Sequence, residues 1–227
     1  MSKFLDSFAK YFYENFLSNS RKTCIVFPGR RSGLYFKHYL SAYTDKPMWS
    51  PAIFTINELV EKMSGKEAND NISLVLELYK VFRDKTGTAE SFDDFLFWGE
   101  MLLGDFDDLD KYLVDAKQLF TNLANIKEID IKFGLTDGID TEALESFWSS
   151  LGKGESQHQK NFLELWTNLH DIYLAFKDVL SAKNMAYQGM LLREVAEDKM
   201  LIEKSESAFE KYLFVGFNAL SKAEKEI

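Results

Sequence analysis

A chain of 227 residues with 46% hydrophobic and 28% charged content is a globular protein of one or two domains, large enough to bury a core without disulfide or metal. Its single cysteine, Cys24, lies in an apolar run with no second thiol for a bridge or zinc site, which excludes a disulfide-stapled fold and fits a buried residue in a reducing compartment. The net charge of −9 argues against a protein that coats nucleic acid, but the charge is uneven: residues 15–44 hold no acid and carry Arg21, Lys22, Arg30, Arg31 and Lys37, whereas residues 45–227 sum to −14.

The opening segment places Phe4, Phe8, Phe12 and Phe16 on one helical face but also contains Asp6, Glu14 and two lysines. A secretory leader would not tolerate those charges, so an amphipathic helix is expected. No apolar run approaches the 18 or so residues that cross a bilayer, so a cytoplasmic protein without membrane contact is expected. The run Thr23 to Phe27 is apolar without alternation, the pattern of a strand buried on both faces. Pro28-Gly29 breaks it, and Leu34, Tyr35, Tyr39 and Leu40 then follow at helical spacing. A second strand is predicted at Ala52 to Phe54, and Thr55 with Glu58 forms a capping box for a helix over Ile56 to Met63. This β-α-β-α order is that of a parallel sheet.

From Ser64 the pattern becomes almost entirely helical. Helices are predicted at Asn71 to Lys85 with Gly87 as terminator, from Ser91 (with Asp94) to Gly104, and beyond Gly104 over Phe106 to Phe120. A looser stretch, Asn125 to Thr141, offers a short strand at Ile129 to Phe133, and helices resume at Glu142 to Trp148, Gln159 to Leu180 and Tyr187 to Lys199. Tyr212 to Phe217 again reads as a buried strand, and Ser221 with Glu224 caps a last helix ending at Ile227. Ending one turn into a helix is expected either of an excised amino-terminal part of a longer protein or of a very short last helix.

A strand, a glycine-containing turn and a helix make the layout of a phosphate-binding loop, G-x-x-x-x-G-K-[ST], whose glycines let backbone N–H groups wrap phosphates, whose lysine neutralises them and whose hydroxyl holds magnesium. The corresponding octet is Pro28-Gly29-Arg30-Arg31-Ser32-Gly33-Leu34-Tyr35. Leucine stands for the lysine and tyrosine for the metal ligand. The late strand, where acids would organise magnesium and water, reads Val215-Gly216-Phe217-Asn218 and contains no carboxylate. A plain strand-turn-helix that never bound nucleotide gives the same pattern.

The segments Phe27 to Phe36, Gly104 to Asp115 and Phe214 to Ser221 resemble, in order, signatures of AddB-type subunits of bacterial helicase-nucleases. That resemblance implies an α/β fold, a partial RecA-like (P-loop NTPase-like) parallel sheet made by residues 1–64 and 209–227, with a large helical insertion over 65–208. It implies an inactivated superfamily I helicase-like region ahead of a distant PD-(D/E)XK nuclease, acting in double-strand break repair and recombination. The fragment itself would be no enzyme and would need no cofactor; the full-length protein would be an exonuclease. The implied partners are DNA, single-stranded or as a duplex end, and an AddA-type helicase-nuclease subunit. Arg30 and Arg31 become candidate phosphate contacts, with Thr55 where such helicases touch single-stranded DNA. Many relatives keep a loop lysine or a late-strand aspartate; Leu34 and Val215 stand instead.

The remaining motifs have plainer explanations. Asp115-Ala116-Lys117, Asp130-Ile131-Lys132 and Glu197-Asp198-Lys199 match the nuclease triplet by chance in so charged a chain. Asp105, Asp107, Asp108 and Asp110 lack the glycine and glutamate of a calcium loop and read as helix-start carboxylates on a solvated face. His38, His158 and His170 show no ligand spacing. The function classes left are a helicase-like module that positions DNA or a partner subunit, a protein-interaction scaffold without nucleic-acid contact and, third, an unconventional NTPase. For the arginines, the alternative is a solvated loop or a salt bridge to the acidic helices.

Overall fold

The structure, a computed structural model, describes residues 4–122, 155–206 and 209–227. The chain forms two compact units: residues 1–68 with 188–227, and residues 69–187. The sequence places the boundaries at 64/65 and 208/209. The difference arises because helices after residue 188 pack onto the sheet unit, an association that periodicity alone does not reveal.

The first unit is α/β. Its elements are α1 (Phe4–Phe16), a 3-10 segment (Leu17–Lys22), β1 (Thr23–Phe27), α2 (Arg30–Ala42), β2 (Ala52–Thr55) and α3 (Ile56–Ser64). The strands make an open parallel sheet ordered β2-β1-β3, completed by β3 (Lys211–Phe214), with Val26 opposite Phe54 on one side and Phe214 on the other. The central strand explains the unalternating run: all five of its residues are buried because both edges are paired and both faces covered. Ile25 and Phe27 pack against Ala9 and Phe12 of α1 and Phe36 and Leu40 of α2. Cys24 and Val26 pack against Ile56 and Leu59 of α3, with Phe209 and Tyr212 alongside. Gly33 lets α2 lie this close, because a Cβ there would come within 2.9 Å of Ile53 Cγ2.

β3 departs from its expected form. It ends at Phe214, because Gly216 turns the backbone at φ +80°, and it is half-exposed as an edge strand rather than buried. The capping boxes at Thr55/Glu58 and Ser221/Glu224 are both formed, the latter opening the short α9 (Lys222–Glu226). Between them in sequence, α7 (Gln188–Glu197) and α8 (Lys199–Glu206) belong to this unit, and Lys66 pairs with Glu194 of α7 at 2.7 Å.

The second unit is helical in its described residues. It contains α4 (Asn71–Thr86), stopped by Gly87 at φ +64°, α5 (Phe92–Lys111), a helical stretch at 116–122, and α6 (Glu155–Ala182). Gly104 does not separate two helices. The 20-residue α5 runs through it, since the apolar face of Phe95, Leu102, Leu103, Phe106 and Leu109 is continuous and outweighs the roughly 1 kcal/mol cost of one helical glycine. The break falls at Leu113, φ +50°. The proposed strand at Ile129 to Phe133 and helix at Glu142 to Trp148 lie outside the described residues. No helix among the described residues is long and apolar enough to cross a membrane.

Candidate functional site

β1 and β3 are parallel neighbours, so their carboxyl ends lie side by side, the Val215 N–H donating to the Val26 carbonyl at 2.9 Å. The two segments singled out from the sequence, Pro28 to Tyr35 and Val215 to Asn218, both start at those ends. The fold thus brings together candidate residues that the sequence separates by 180 positions or more.

The local geometry is not that of a loop that wraps phosphates. β1 ends at Phe27 and α2 begins at Arg30, leaving only Pro28 and Gly29 between them. Gly29 is extended (φ −159°, ψ 155°), a conformation open to any residue, and nothing lies within 4 Å of where its Cβ would be. Arg30 and Arg31 therefore sit in the first turn of α2 rather than in a loop, and the N–H of Ser32 donates to the Gly29 carbonyl at 3.2 Å. Gly33 is a packing residue. Leu34 and Tyr35 project outward, 68% and 51% exposed, where a working loop would hold its lysine and hydroxyl. On the β3 side Val215 is buried in the core against α1 and α2, Phe217 packs on the opposite face, and Gly216 and Asn218 are exposed.

Polar chemistry at this end of the sheet centres on Glu58. Its Oε1 accepts a hydrogen bond from Arg30 Nε at 2.8 Å and its Oε2 accepts one from the Thr55 N–H at 2.8 Å, while Thr55 Oγ1 accepts from the Glu58 N–H at 3.2 Å. The Thr55 N–H, and after it the Arg30 side chain, hold the Glu58 carboxyl below its usual range, so it is ionised at neutral pH. The partner of Arg30 is thus a cap residue of its own unit and not the acidic helices to which the charge distribution points. Only Nε is engaged, and the Arg30 side chain is 81% exposed, so Glu58 fixes the stem and leaves the outer fork of the guanidinium facing solvent. Arg31 is exposed and forms no ion pair among the described residues. The first turn of α2 has no side-chain cap, so its N–H groups add to the positive field of the two arginines. Such an arrangement suits one phosphate group or a short stretch of phosphodiester.

The other sequence candidates separate cleanly. Asp115 caps the helical stretch at 116–122, its Oδ1 accepting from the Gln118 N–H at 2.9 Å; Glu197 pairs with Arg193, and Asp198 accepts from the Met200 N–H. Asp130 lies outside the described residues. Among the described residues no group of three or more His, Cys, Asp or Glu is placed to hold a metal ion. Asp110 corrects the sequence reading, which puts it on a solvated face. It is fully buried, accepting from the hydroxyls of Tyr173 and Tyr187 and from Lys177 Nζ at 3.2 Å. Burial, and then the Asp110 charge, push the Tyr187 phenol well above its ordinary range. The sequence holds a weak signal of this: Asp110 continues the apolar line of Phe106 and Leu109 rather than that of its acidic neighbours.

No protein-family model matches this chain, and neither does any curated protein.

Proposed function

We propose that this chain is a helicase-like module without nucleotide chemistry of its own, which positions DNA or a partner subunit within a helicase-nuclease of DNA repair and recombination. Its architecture in that reading is a partial RecA-like sheet with a large helical insertion. The observation that supports it most is the juxtaposition at the carboxyl ends of β1 and β3. The place where a nucleotide would sit is spanned by a two-residue turn, with Leu34 and Tyr35 outward on one side and Val215 packed inward on the other. What is left there is cationic: Arg30 oriented by Glu58, Arg31 without an ion pair among the described residues, and an uncapped helix start. Phosphate contacts of this kind hold a backbone in place and do not read sequence.

The test is single-stranded DNA binding measured from low to moderate salt for the wild type and the Arg30→Ala/Arg31→Ala double variant, with thermal melts alongside. The expected result is weaker binding, and a log-log salt slope shallower by about 0.7 for each phosphate that the variant no longer neutralises. The melt should stay unchanged. Unaltered affinity and slope would reject the DNA role. Calorimetric titration with ATP and magnesium should give no binding, and micromolar affinity would overturn the proposed loss of nucleotide chemistry. The scaffold reading keeps one specific support, the −14 carried by residues 45–227.

A further inference from the structure

α5 carries seven carboxylates and one lysine, and its outward side is more than a solvated face. Phe97 is 74% exposed and Met101 51% exposed, although both are large apolar side chains on a well-packed helix. At 3.6 residues per turn, positions 97, 101, 104 and 108 fall on one line along the helix, with Glu100 and Asp105 flanking it at roughly 60–80° on either side. Gly104 occupies the middle of that line and is exposed, with nothing within 4 Å of where its Cβ would stand. The contrast with Gly99 on the same helix is direct. There a Cβ would come within 2.8 Å of Val75 Cγ1, so Gly99 is required for packing on α4. Nothing among the described residues requires Gly104, which lowers helix stability and opens a path for another backbone to approach.

We propose that this face of α5 is a docking strip for a basic amphipathic helix of a partner protein. The partner lays its apolar side along Phe97 and Met101, crosses closely over Gly104, and sets lysines or arginines opposite Glu100, Asp105 and Asp108. Helix-on-helix recognition of this kind reads anchors at i, i+4 and i+7, the spacing present here. Charge selects the occupant. A nucleic acid would bring phosphates against carboxylates, and a second copy of this chain related by a two-fold axis would oppose the same acids to each other. Partial burial, and after it the neighbouring Asp108 charge, raise the Asp105 carboxyl above its ordinary value. The strip stands on α5 alone and holds whether or not Arg30 and Arg31 touch DNA.

The probe is a labelled synthetic 20-residue helix with leucines on one face and lysines on both sides of it, compared with the same peptide carrying glutamates. Fluorescence anisotropy with the full chain should show binding of the lysine peptide that weakens as salt rises, and none of the glutamate peptide. Phe97→Ser/Met101→Ser should weaken binding at least tenfold. Gly104→Leu should do the same while melting at or above the wild-type temperature, which keeps the test decisive if the double variant folds poorly. Arg30→Ala/Arg31→Ala should leave peptide binding untouched. Equal binding of both peptides, binding of neither, or undiminished binding by Gly104→Leu would overturn the proposal. So would a dimer in sedimentation that Phe97→Ser/Met101→Ser abolishes, since the occupant would then be a second copy.

Discussion

Two ion pairs, one in each unit, show how the same charges serve different ends. Arg30 and Glu58 meet at the rim of the sheet, with the arginine side chain mostly in water. Lys177 and Asp110 meet inside the helical unit, where Asp110 has no exposed surface and two tyrosine hydroxyls also donate to it. An exposed pair gains little and remains adaptable, whereas a buried carboxylate is tolerated only while every partner is in place. The core of the sheet unit needs no such network, because Phe27, Phe36 and Phe12 fill it with apolar contacts. In the helical unit the carboxylate joins α5 to α6 and to the segment at Tyr187, so uniqueness of packing there depends on polar satisfaction.

The sharpest break in that comparison should come from Asp110→Ala. Removing the acceptor takes away the carboxylate to which both buried hydroxyls donate, and about 3–5 kcal/mol should be lost in urea unfolding, read from the helical unit by hydrogen exchange. A cost below about 1 kcal/mol would show that the network is wet and adaptable like the rim pair.

Alkaline pH should act on the same network more gently. The Tyr187 phenol is raised above its ordinary 10.0, so its contribution is fully present below pH 10 and is lost as pH climbs above it. Tyr187→Phe should cost roughly 1.5–3 kcal/mol at neutral pH, as expected for a hydrogen bond to a charged group. The gap between wild type and variant should close above pH 10, as followed by chemical denaturation at fixed pH values. A gap that stays constant would remove Tyr187 from the linkage.

The smallest effects belong to the rim. Glu58→Ala removes the capping box and should cost about 1 kcal/mol. Arg30→Ala should cost only about 0–1 kcal/mol, because the pair is exposed. The Glu58 carboxyl is lowered from its ordinary 4.5, so the stability it supplies is present above that pH and fades on acidification, the reverse of the tyrosine network. If Arg30→Ala proved the more damaging of the two, the arginine would be a structural strut and its availability to a phosphate would be lost.

Much of the sheet unit is legible in the sequence because its signals are local. Thr23 to Phe27 is a strand at its predicted limits, and Thr55/Glu58 and Ser221/Glu224 announce their helices by side-chain chemistry that acts within one turn. Gly87 ends its helix because the backbone there is left-handed. Gly104 looks like a similar stop and is not, since a glycine ends a helix only where the apolar face also ends. Asp110 escapes a sequence reading for a related reason. A run of four nearby aspartates suggests a solvated surface, and only the arrival of Tyr173, Lys177 and Tyr187 from more than 60 residues away makes one of them a core residue. The candidate site is legible as to place but not as to partnership: that Arg30 turns to Glu58 depends on β1 and β2 lying side by side, which composition does not encode.

The central strand gives the molecule a built-in clock. Cys24 is the one thiol in the chain, has no exposed surface, and burial raises it to about 11. Thiol reagents react with the thiolate at an accessible sulfur, so the folded sheet shields Cys24 both sterically and by keeping it protonated. Each labelling event therefore records an opening of the sheet around β1, and where reclosing is fast the labelling rate at fixed pH reports the fraction of time spent open. The time course of a single alkylation, read by intact mass, converts that buried position into a measure of how often the sheet breathes, without any engineered probe.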